Sequence, residues 1–249
     1  MPTPQPTTPR AYRCQCGRPV FFGNSQCLAC HTPLGYEPQL GRVLPLQPGA
    51  RPGQWQPFDA PAHAPAWRRC ANFESPAGCN WLVPAEESAT LCAACRLNRT
   101  IPDLSVPENG RLWGRIEGAK RRLVSQLIAL GLPVKSKVGE DPQHGLAFDF
   151  LRALPGQPVI TGHADGVITL DVEEADDARR EQIRTQLREP YRTLLGHLRH
   201  EVGHHYWQRL VQHSAWLAPF RAVLSNGWSR SQARRRPSPS KSMTKNCPS

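Results

Sequence analysis

The chain has 249 residues, 26 prolines and a net charge of +11, which is enough length for one large or two modest domains. No apolar run approaches the length of a membrane span, and residues 1–10 lack the apolar core of a signal peptide. We therefore expect a cytoplasmic protein without a membrane partner. In that compartment its nine cysteines are better suited to metal binding than to disulfides.

The positive charge is concentrated at the C-terminal end. Residues 205–249 hold eight basic residues and no acidic one, whereas the first 204 residues carry a net charge of only +3. Nucleic acid is therefore the less favoured partner, because the body of the chain has no large charge excess. Residues 216–249 should form a basic tail that is disordered, at least from 225, because it lacks apolar periodicity; Cys247 should be an exposed thiol there.

Two close cysteine pairs, Cys14-x-Cys16 and Cys27-x-x-Cys30, lie near the start of the chain. Short pairs at turns point both sulfurs toward one ion, so this spacing predicts a structural Cys₄ zinc site. The apolar run Val20-Phe21-Phe22 between the pairs favours a strand. We expect a small ribbon of two or three strands.

A second group of four cysteines follows residues 31–66, whose proline and glycine content predicts an irregular connector. Two sequential Cys₄ sites are the simplest arrangement, and an interleaved pair is the alternative. His31 and His63 are the spare ligands if a cysteine is not used. Zinc would then stabilise a region whose apolar core is small. The second group comprises Cys70, Cys79, Cys92 and Cys95.

After Cys95 the composition changes, and residues 96–105 resemble a linker into a second domain. Apolar residues at helical spacing predict a helix over 111–130, ended by Gly131 and Pro133. Its basic cluster Lys120-Arg121-Arg122 falls mostly on the opposite face, so we expect it to be solvated.

Short strands and a further helix are predicted next. The strand candidates are residues 146–151, 159–161 and 166–172, and the last could pair with an extended substrate. A helix should cover residues 177–187, with Asp176 as its N-cap. This order of elements predicts a small α+β domain.

The stretch His200-Glu201-Val202-Gly203-His204 carries the clearest chemistry. Four residues are close to one helical turn, so His200 and His204 face the same way and can hold one catalytic Zn²⁺. Glu201 is then suited to take the proton of a zinc-activated water as a general base. The alternative is a helix that merely happens to be rich in histidine. Helical spacing of apolar residues and a proline near the start support the helix: Leu194, Leu195, Leu198, Val202, Tyr206 and Pro190.

Several longer runs together resemble a bacterial family of zinc-binding metallopeptidases with an N-terminal zinc ribbon. The resemblance covers roughly residues 12–215. It implies a zincin-like fold with His200 and His204 as zinc ligands and Glu201 as the catalytic acid/base, without implying a particular substrate. The runs are Cys14–Gly17, Cys27–Cys30, Cys92–Leu104, Gly145–Phe150 and Gly196–His204.

The sequence departs from related HExxH enzymes after the motif. A catalytic zinc normally has three protein ligands, yet no Asp or Glu follows Glu201 and the metzincin histidine position is Leu210. On an ideal helix His205 and His213 point about 100° and about 180° away from His204. His197 lies within about 60° of the motif face, but nearly a turn earlier, so we expect it beside the site or in the core. The C-terminus therefore looks atypical or truncated, and we expect an impaired hydrolase.

Together these features predict an α+β chain with three parts: a zinc-ribbon domain with two Cys₄ clusters at 12–100, a zincin-like metallopeptidase domain at 106–215, and the tail. The predicted function is zinc-dependent hydrolysis of a peptide or protein substrate, with one catalytic and up to two structural zinc ions. The alternative is a non-catalytic zinc-ribbon module that binds protein or nucleic acid. Arginines and aromatic residues near the ribbons keep that alternative open: Arg10, Arg13, Arg18, Arg68, Arg69, Arg96, Arg99, Tyr12, Trp67 and Trp81.

Overall fold

The computed structural model describes residues 11–61, 63–187 and 193–223. It begins with an antiparallel hairpin of β1 (Ala11–Arg13) and β2 (Pro19–Phe21). Gly17 has a φ of 82° in the connecting turn, a conformation that glycine adopts without a steric penalty. The expected small ribbon is therefore a two-stranded one.

A five-stranded antiparallel sheet follows, in the order β3-β4-β5-β6-β7. The expectation of an irregular connector over residues 31–66 is wrong, because three of these strands lie there. Leu46 and Leu82 form the sheet's small apolar cluster with Leu44, against which Trp55 and Trp67 pack. Pairing with strands that come later in the chain orders segments whose own composition favours loops. The strands are β3 (Leu34–Glu37), β4 (Arg42–Pro48), β5 (Gln54–Pro57), β6 (Trp67–Arg69) and β7 (Leu82–Pro84).

The long helix α1 covers Pro107–Ala129, so it begins one turn earlier than predicted. Pro107 suits the first turn of the helix, where an N–H group would have no acceptor within the helix. At the other end, Gly131 has a φ of 69°, and the N–H groups of Gly131 and Leu132 donate to the carbonyls of Ile128 and Leu127. This pattern satisfies the last carbonyls of the helix and ends it.

The expectation of a solvated basic cluster on α1 is wrong for two of its three residues. Lys120 is fully buried and Arg121 nearly so. The Nζ atom of Lys120 donates to Oε1 of Glu117 at 2.7 Å and also to Oδ1 of Asn98. A buried partner one turn away makes the burial of this ammonium tolerable, and apolar periodicity does not reveal such a partner.

The second sheet has four strands in the order β10-β11-β9-β8. Strand β8, the first of these in the chain, follows a 3₁₀ turn at Cys95–Leu97. It lies within residues 96–105, so the prediction that this whole segment is a linker is wrong. The candidate strand at 159–161 is also wrong, since the strand begins at Gly162. The strands are β8 (Asn98–Thr100), β9 (Ala147–Leu151), β10 (Gly162–Ala164) and β11 (Val167–Asp171).

Strands β8, β9 and β11 are parallel, while β10 runs antiparallel to β11 at the sheet's edge. Because β11 is paired on both sides, it cannot accept an extended substrate as the sequence suggested. Phe148 and Phe150 share one face of β9 and are fully buried, with the Lys120 ammonium 5.5 Å from each ring centre. The helix α1 therefore covers this face of the sheet.

Two helices follow the second sheet, and the second of them carries the motif. Helix α2 spans Asp177–Leu187, and Oδ1 of Asp176 accepts a hydrogen bond from the Arg179 N–H at 3.0 Å, which confirms the predicted N-cap. Helix α3 spans Leu194–Leu210, where Thr193 caps the first turn by accepting from the Gly196 N–H at 3.0 Å. The motif therefore lies on a helix, as predicted.

The chain divides into two compact units, residues 1–205 and 206–249, and the second contains a helical segment at 217–223. The predictions for Pro190, for residues 225–249 and for Cys247 fall outside the described residues. Among the helices that the structure describes, none is long and apolar enough to cross a bilayer. The α+β class is confirmed, with a cysteine-rich β region before a domain of helices and sheet.

Candidate metal centres

The first cysteine quartet is brought together around the β1–β2 hairpin. The Sγ atoms of Cys14 and Cys30 are 3.6 Å apart, those of Cys16 and Cys27 are 3.8 Å apart, and all four lie within 4.8 Å of one another. A tetrahedral ion with Zn–S bonds of about 2.3 Å requires sulfur separations of about 3.8 Å. The four thiols therefore fit one zinc ion.

Local groups already favour thiolate at one position of this quartet. Hydrogen bonds from the side chain and backbone of Thr32 lower the pKa of Cys30 to about 6. Burial instead raises the pKa of Cys14 to about 12. A cation is needed to deprotonate the whole set, because thiolates a few ångströms apart repel one another.

The second quartet is formed by Cys70, Cys79, Cys92 and Cys95, again with all Sγ atoms within 4.8 Å. Its four cysteines are all buried, and the Cys79 and Cys92 sulfurs lie 3.6 Å apart. Burial raises the pKa of Cys92, while hydrogen bonds from the other three thiols lower the pKa of Cys70. The neighbours can thus support one thiolate, and a divalent cation would supply the charge for the rest.

The pairing that the sequence left open is sequential. Each quartet takes four consecutive cysteines of the chain, and neither includes His31 or His63. Burial differs between the two, because Cys16 is exposed in the first quartet whereas every sulfur of the second is enclosed.

The two motif histidines meet on the surface of α3. The Nε2 atoms of His200 and His204 are 3.1 Å apart, and their rings are nearly perpendicular. Two nitrogens that bind one tetrahedral zinc at about 2.0–2.1 Å lie about 3.3 Å apart. Both side chains are exposed, so the pair is open to an ion and to a substrate. The donors and their spacing fit zinc.

Glu201 follows His200 on α3 and is largely buried, unlike the two exposed histidines. Its Oε1 atom lies 3.4 Å from Nε2 of His197, and Nδ1 of the same ring lies 2.7 Å from Oε2 of Glu174. The hydroxyl of Thr161 donates to the second oxygen of Glu174 at 2.6 Å. His197 is thus beside the motif, between two carboxylates.

Sequence reasoning missed Glu174 and Thr161. Glu174 lies in a 3₁₀ turn, Val172–Ala175, directly after β11. An acidic pair that follows a buried strand was the available signal, since strand ends are where such side chains approach a neighbouring helix. Thr161 offered no comparable signal.

His163 and His205 form a second histidine contact near the motif. The Gly166 N–H donates to Nε2 of His163 at 3.0 Å, and the His163 and His205 rings lie 5.9 Å apart. Burial lowers the pKa of His163, and the charge of His204 lowers it further. With its Nε2 lone pair occupied, His163 in this orientation does not serve as a ligand. His205 is buried, whereas His200 and His204 are exposed.

A third ligand does not join the histidine pair within the part of the chain that the structure describes. Over residues 11–61, 63–187 and 193–223, the two cysteine quartets are the groups in which three or more Cys, His, Asp or Glu bring ligand atoms within 4.8 Å. Both oxygens of Glu174 are occupied by hydrogen bonds, so this acid is not a substitute.

Comparison with known proteins shows two family matches. Residues 109–233 match a family described as "Putative zinc-binding metallo-peptidase", and residues 11–106 match a zinc-ribbon domain family. Uncharacterized proteins of Mycobacterium bovis and of two Mycobacterium tuberculosis strains, H37Rv and CDC 1551, are 42% identical over 219 residues. The match covers 87% of this chain and 59% of each relative, so the chain spans little more than half of their length. No solved structure matches the chain.

Proposed function

Because the chain belongs to this zinc-binding metallopeptidase family and carries its zinc-ribbon domain, we propose that it acts as a zinc-dependent peptide hydrolase. The observation that carries the proposal is the 3.1 Å separation of the His200 and His204 Nε2 atoms, with Glu201 directly after His200 on the same helix. We propose one catalytic zinc at this pair and one structural zinc in each cysteine quartet.

The protein's own groups would perform the proton transfers. Zinc at the histidine pair would polarise the substrate carbonyl and make water nucleophilic near neutral pH. Glu201 would accept the proton of the attacking water and deliver it to the leaving nitrogen. Its burial keeps the carboxylate in a low-dielectric setting, where such transfers are favoured.

The substrate would be a peptide or protein segment in an extended conformation. Among the described strands, β10 (Gly162–Ala164) lies at an edge of the sheet, and the ring of its His163 lies 5.9 Å from that of His205 on the motif helix. Its unpaired edge could bind a substrate backbone by strand addition. This proposal replaces the interior strand β11 that the sequence suggested.

We propose that hydrolysis by this chain is weak. Two neutral imidazoles bind zinc less firmly than two imidazoles with an acid, since an acid adds both charge and a third bond. Within the described residues, no acidic side chain joins this pair as a third ligand. A low zinc occupancy at the histidine pair would limit the rate.

A non-catalytic zinc-ribbon module is the second candidate, and the contacts of its basic and aromatic residues weigh against it. Arg99 is bound to Asp149, Arg96 lies 3.2 Å from Glu140, and Arg69 stacks on Phe73 at 4.0 Å. Trp81 is fully buried. These side chains stabilise the fold and do not form an array for a partner.

The proposal is tested by counting zinc and measuring cleavage of an unfolded protein substrate in zinc-containing buffer. His200→Ala should remove the weakly held zinc while the two ribbon zincs stay, and Glu201→Gln should abolish cleavage without loss of zinc. His144→Ala, at an exposed loop histidine, is the matched control and should change neither quantity. Absence of Glu201-dependent cleavage at high enzyme concentration would favour the non-catalytic module.

A further inference from the structure

We propose that His197, anchored by Glu174, is a positioning residue that orients the Glu201 carboxylate. The three side chains form a line of contacts: Glu174 Oε2 to His197 Nδ1 at 2.7 Å, and His197 Nε2 to Glu201 Oε1 at 3.4 Å. The catalytic meaning of this arrangement rests on the function proposed above, whereas the contacts can be tested without activity.

The anchor is Glu174, whose carboxylate is held at both oxygens. Thr161 donates its hydroxyl to Oε1, and the Thr161 oxygen in turn accepts from the Asp171 N–H at 3.2 Å. The 3₁₀ turn that carries Glu174 is itself capped, because Oδ1 of Asp171 accepts from the Glu173 N–H at 3.0 Å. Glu174 is therefore fixed to the end of β11 through side-chain and backbone bonds.

His197 lies one helical turn before Glu201, so its ring reaches the base along the helix surface. One ring nitrogen faces Glu174 and the other faces Glu201, which leaves neither lone pair directed at an ion near His200. This explains why a third histidine on the motif face takes no part in the His200–His204 pair. Its role resembles that of an imidazole oriented by a buried acid, with a second carboxylate in place of a nucleophile.

Burial of the three side chains restricts their orientations. The side chains of Glu174, His197 and Glu201 are only 12%, 18% and 10% exposed. Electrostatic contacts between charged or polar groups are stronger in such a setting than in water. The Glu201 carboxylate is therefore limited to the rotamers that keep contact with His197, which prepares it for proton transfer.

The contacts are tested by NMR on the full chain labelled with ¹⁵N-histidine, at one fixed pH, with and without added zinc. The His197 ring signals are assigned by their loss in His197→Gln. Glu201→Gln should shift mainly the Nε2 signal of His197, and Glu174→Gln should shift Nδ1 and, through release of the ring, Nε2 as well. Glu173→Gln is the matched control, because this neighbouring carboxylate pairs with Arg179 and Arg152.

The proposal is overturned if the His197 signals ignore both Glu174→Gln and Glu201→Gln, or if they respond equally to Glu173→Gln. In a preparation with Glu201-dependent cleavage, Glu174→Gln should lower kcat about 10- to 100-fold with KM and zinc content unchanged. An unchanged kcat, or a fall caused by zinc loss, would also contradict the positioning role. If the wild-type chain shows no such cleavage, the proposed function fails, and the NMR result alone decides whether His197 orients Glu201.

Discussion

Cys95 and Glu117 are in contact: the Sγ atom of the former lies 3.8 Å from Oε2 of the latter. A cysteine of the second quartet thus touches the buried face of α1, where Glu117 is paired with Lys120. Lys120 in turn lies over Phe148 and Phe150 of the second sheet. The second cysteine quartet, α1 and this sheet therefore share one buried polar contact, and the stability of each should depend on the others.

Replacing Lys120 alone should be costly. Lys120→Met leaves the carboxylate of Glu117 buried without its cation, which should lower the free energy of unfolding by about 3–5 kcal/mol. The double change Glu117→Gln with Lys120→Met removes both charges and should recover much of the loss. Urea denaturation measures these differences, with Lys135→Met on the exposed surface as the control. Equal stability of Lys120→Met and the control would contradict the importance of the pair.

The two cysteine quartets should differ in how much they stabilise the chain. Cys27→Ser with Cys30→Ser, and Cys92→Ser with Cys95→Ser, should each lower zinc content by about one ion per chain. The second pair should be far more destabilising, because its site is fully buried and touches α1. Elemental analysis and thermal unfolding measure both effects. Disulfides in freshly prepared protein, found by thiol titration, would argue against zinc at either site.

Two glycines of α1 provide a matched pair for testing how closely this helix packs against the segment that contains Pro76. A Cβ at Gly114 would lie 2.4 Å from the carbonyl oxygen of Pro76, whereas a Cβ at Gly118 would meet nothing within 4 Å. Gly118→Ala should therefore stabilise the chain by about 0.5–1 kcal/mol through helix propensity. Gly114→Ala should destabilise it by about 1–3 kcal/mol, because the backbones must separate. Calorimetric unfolding that shows the same sign for both would contradict this close approach.

Asp149 should make the stability depend on pH. Burial acts to raise its pKa, but hydrogen bonds from Arg99 and Thr100 outweigh this and hold the pKa below its usual value. A depressed folded-state pKa contributes stability above the unfolded value, and this contribution disappears as the pH falls through the folded value. Asp149→Asn should thus be less stable than wild type near pH 6, with the gap closing below about pH 4.

Urea denaturation of both proteins across that range measures the effect of Asp149. Zinc release in acid affects wild type and variant alike, so the difference between them isolates the carboxylate. A gap that stays constant with pH would show that the substitution acts through packing alone.

The sequence by itself determined which residues could serve as metal ligands, because the pairs that form the candidate sites are set by short-range spacing. A Cys-x-x-Cys turn directs two sulfurs together wherever it lies, and four residues along a helix bring His200 beside His204. The Asp176 cap and the stop at Gly131 are equally local, since each is decided by groups within one turn of the helix end.

Only the tertiary structure decided the features that join distant parts of the chain. Proline-rich residues 31–66 form three strands that pair with one another, and the sheet continues through β6, which pairs with β5, and β7, which pairs with β6. Strand β8 is ordered by β9, some fifty residues later. The burial of Lys120 requires Glu117 and Asn98 around it, and Glu174 reaches His197 because β11 ends beside α3. Each of these features depends on which segments meet in three dimensions. The free energy of such contacts exceeds the small conformational free-energy differences on which composition and periodicity are informative.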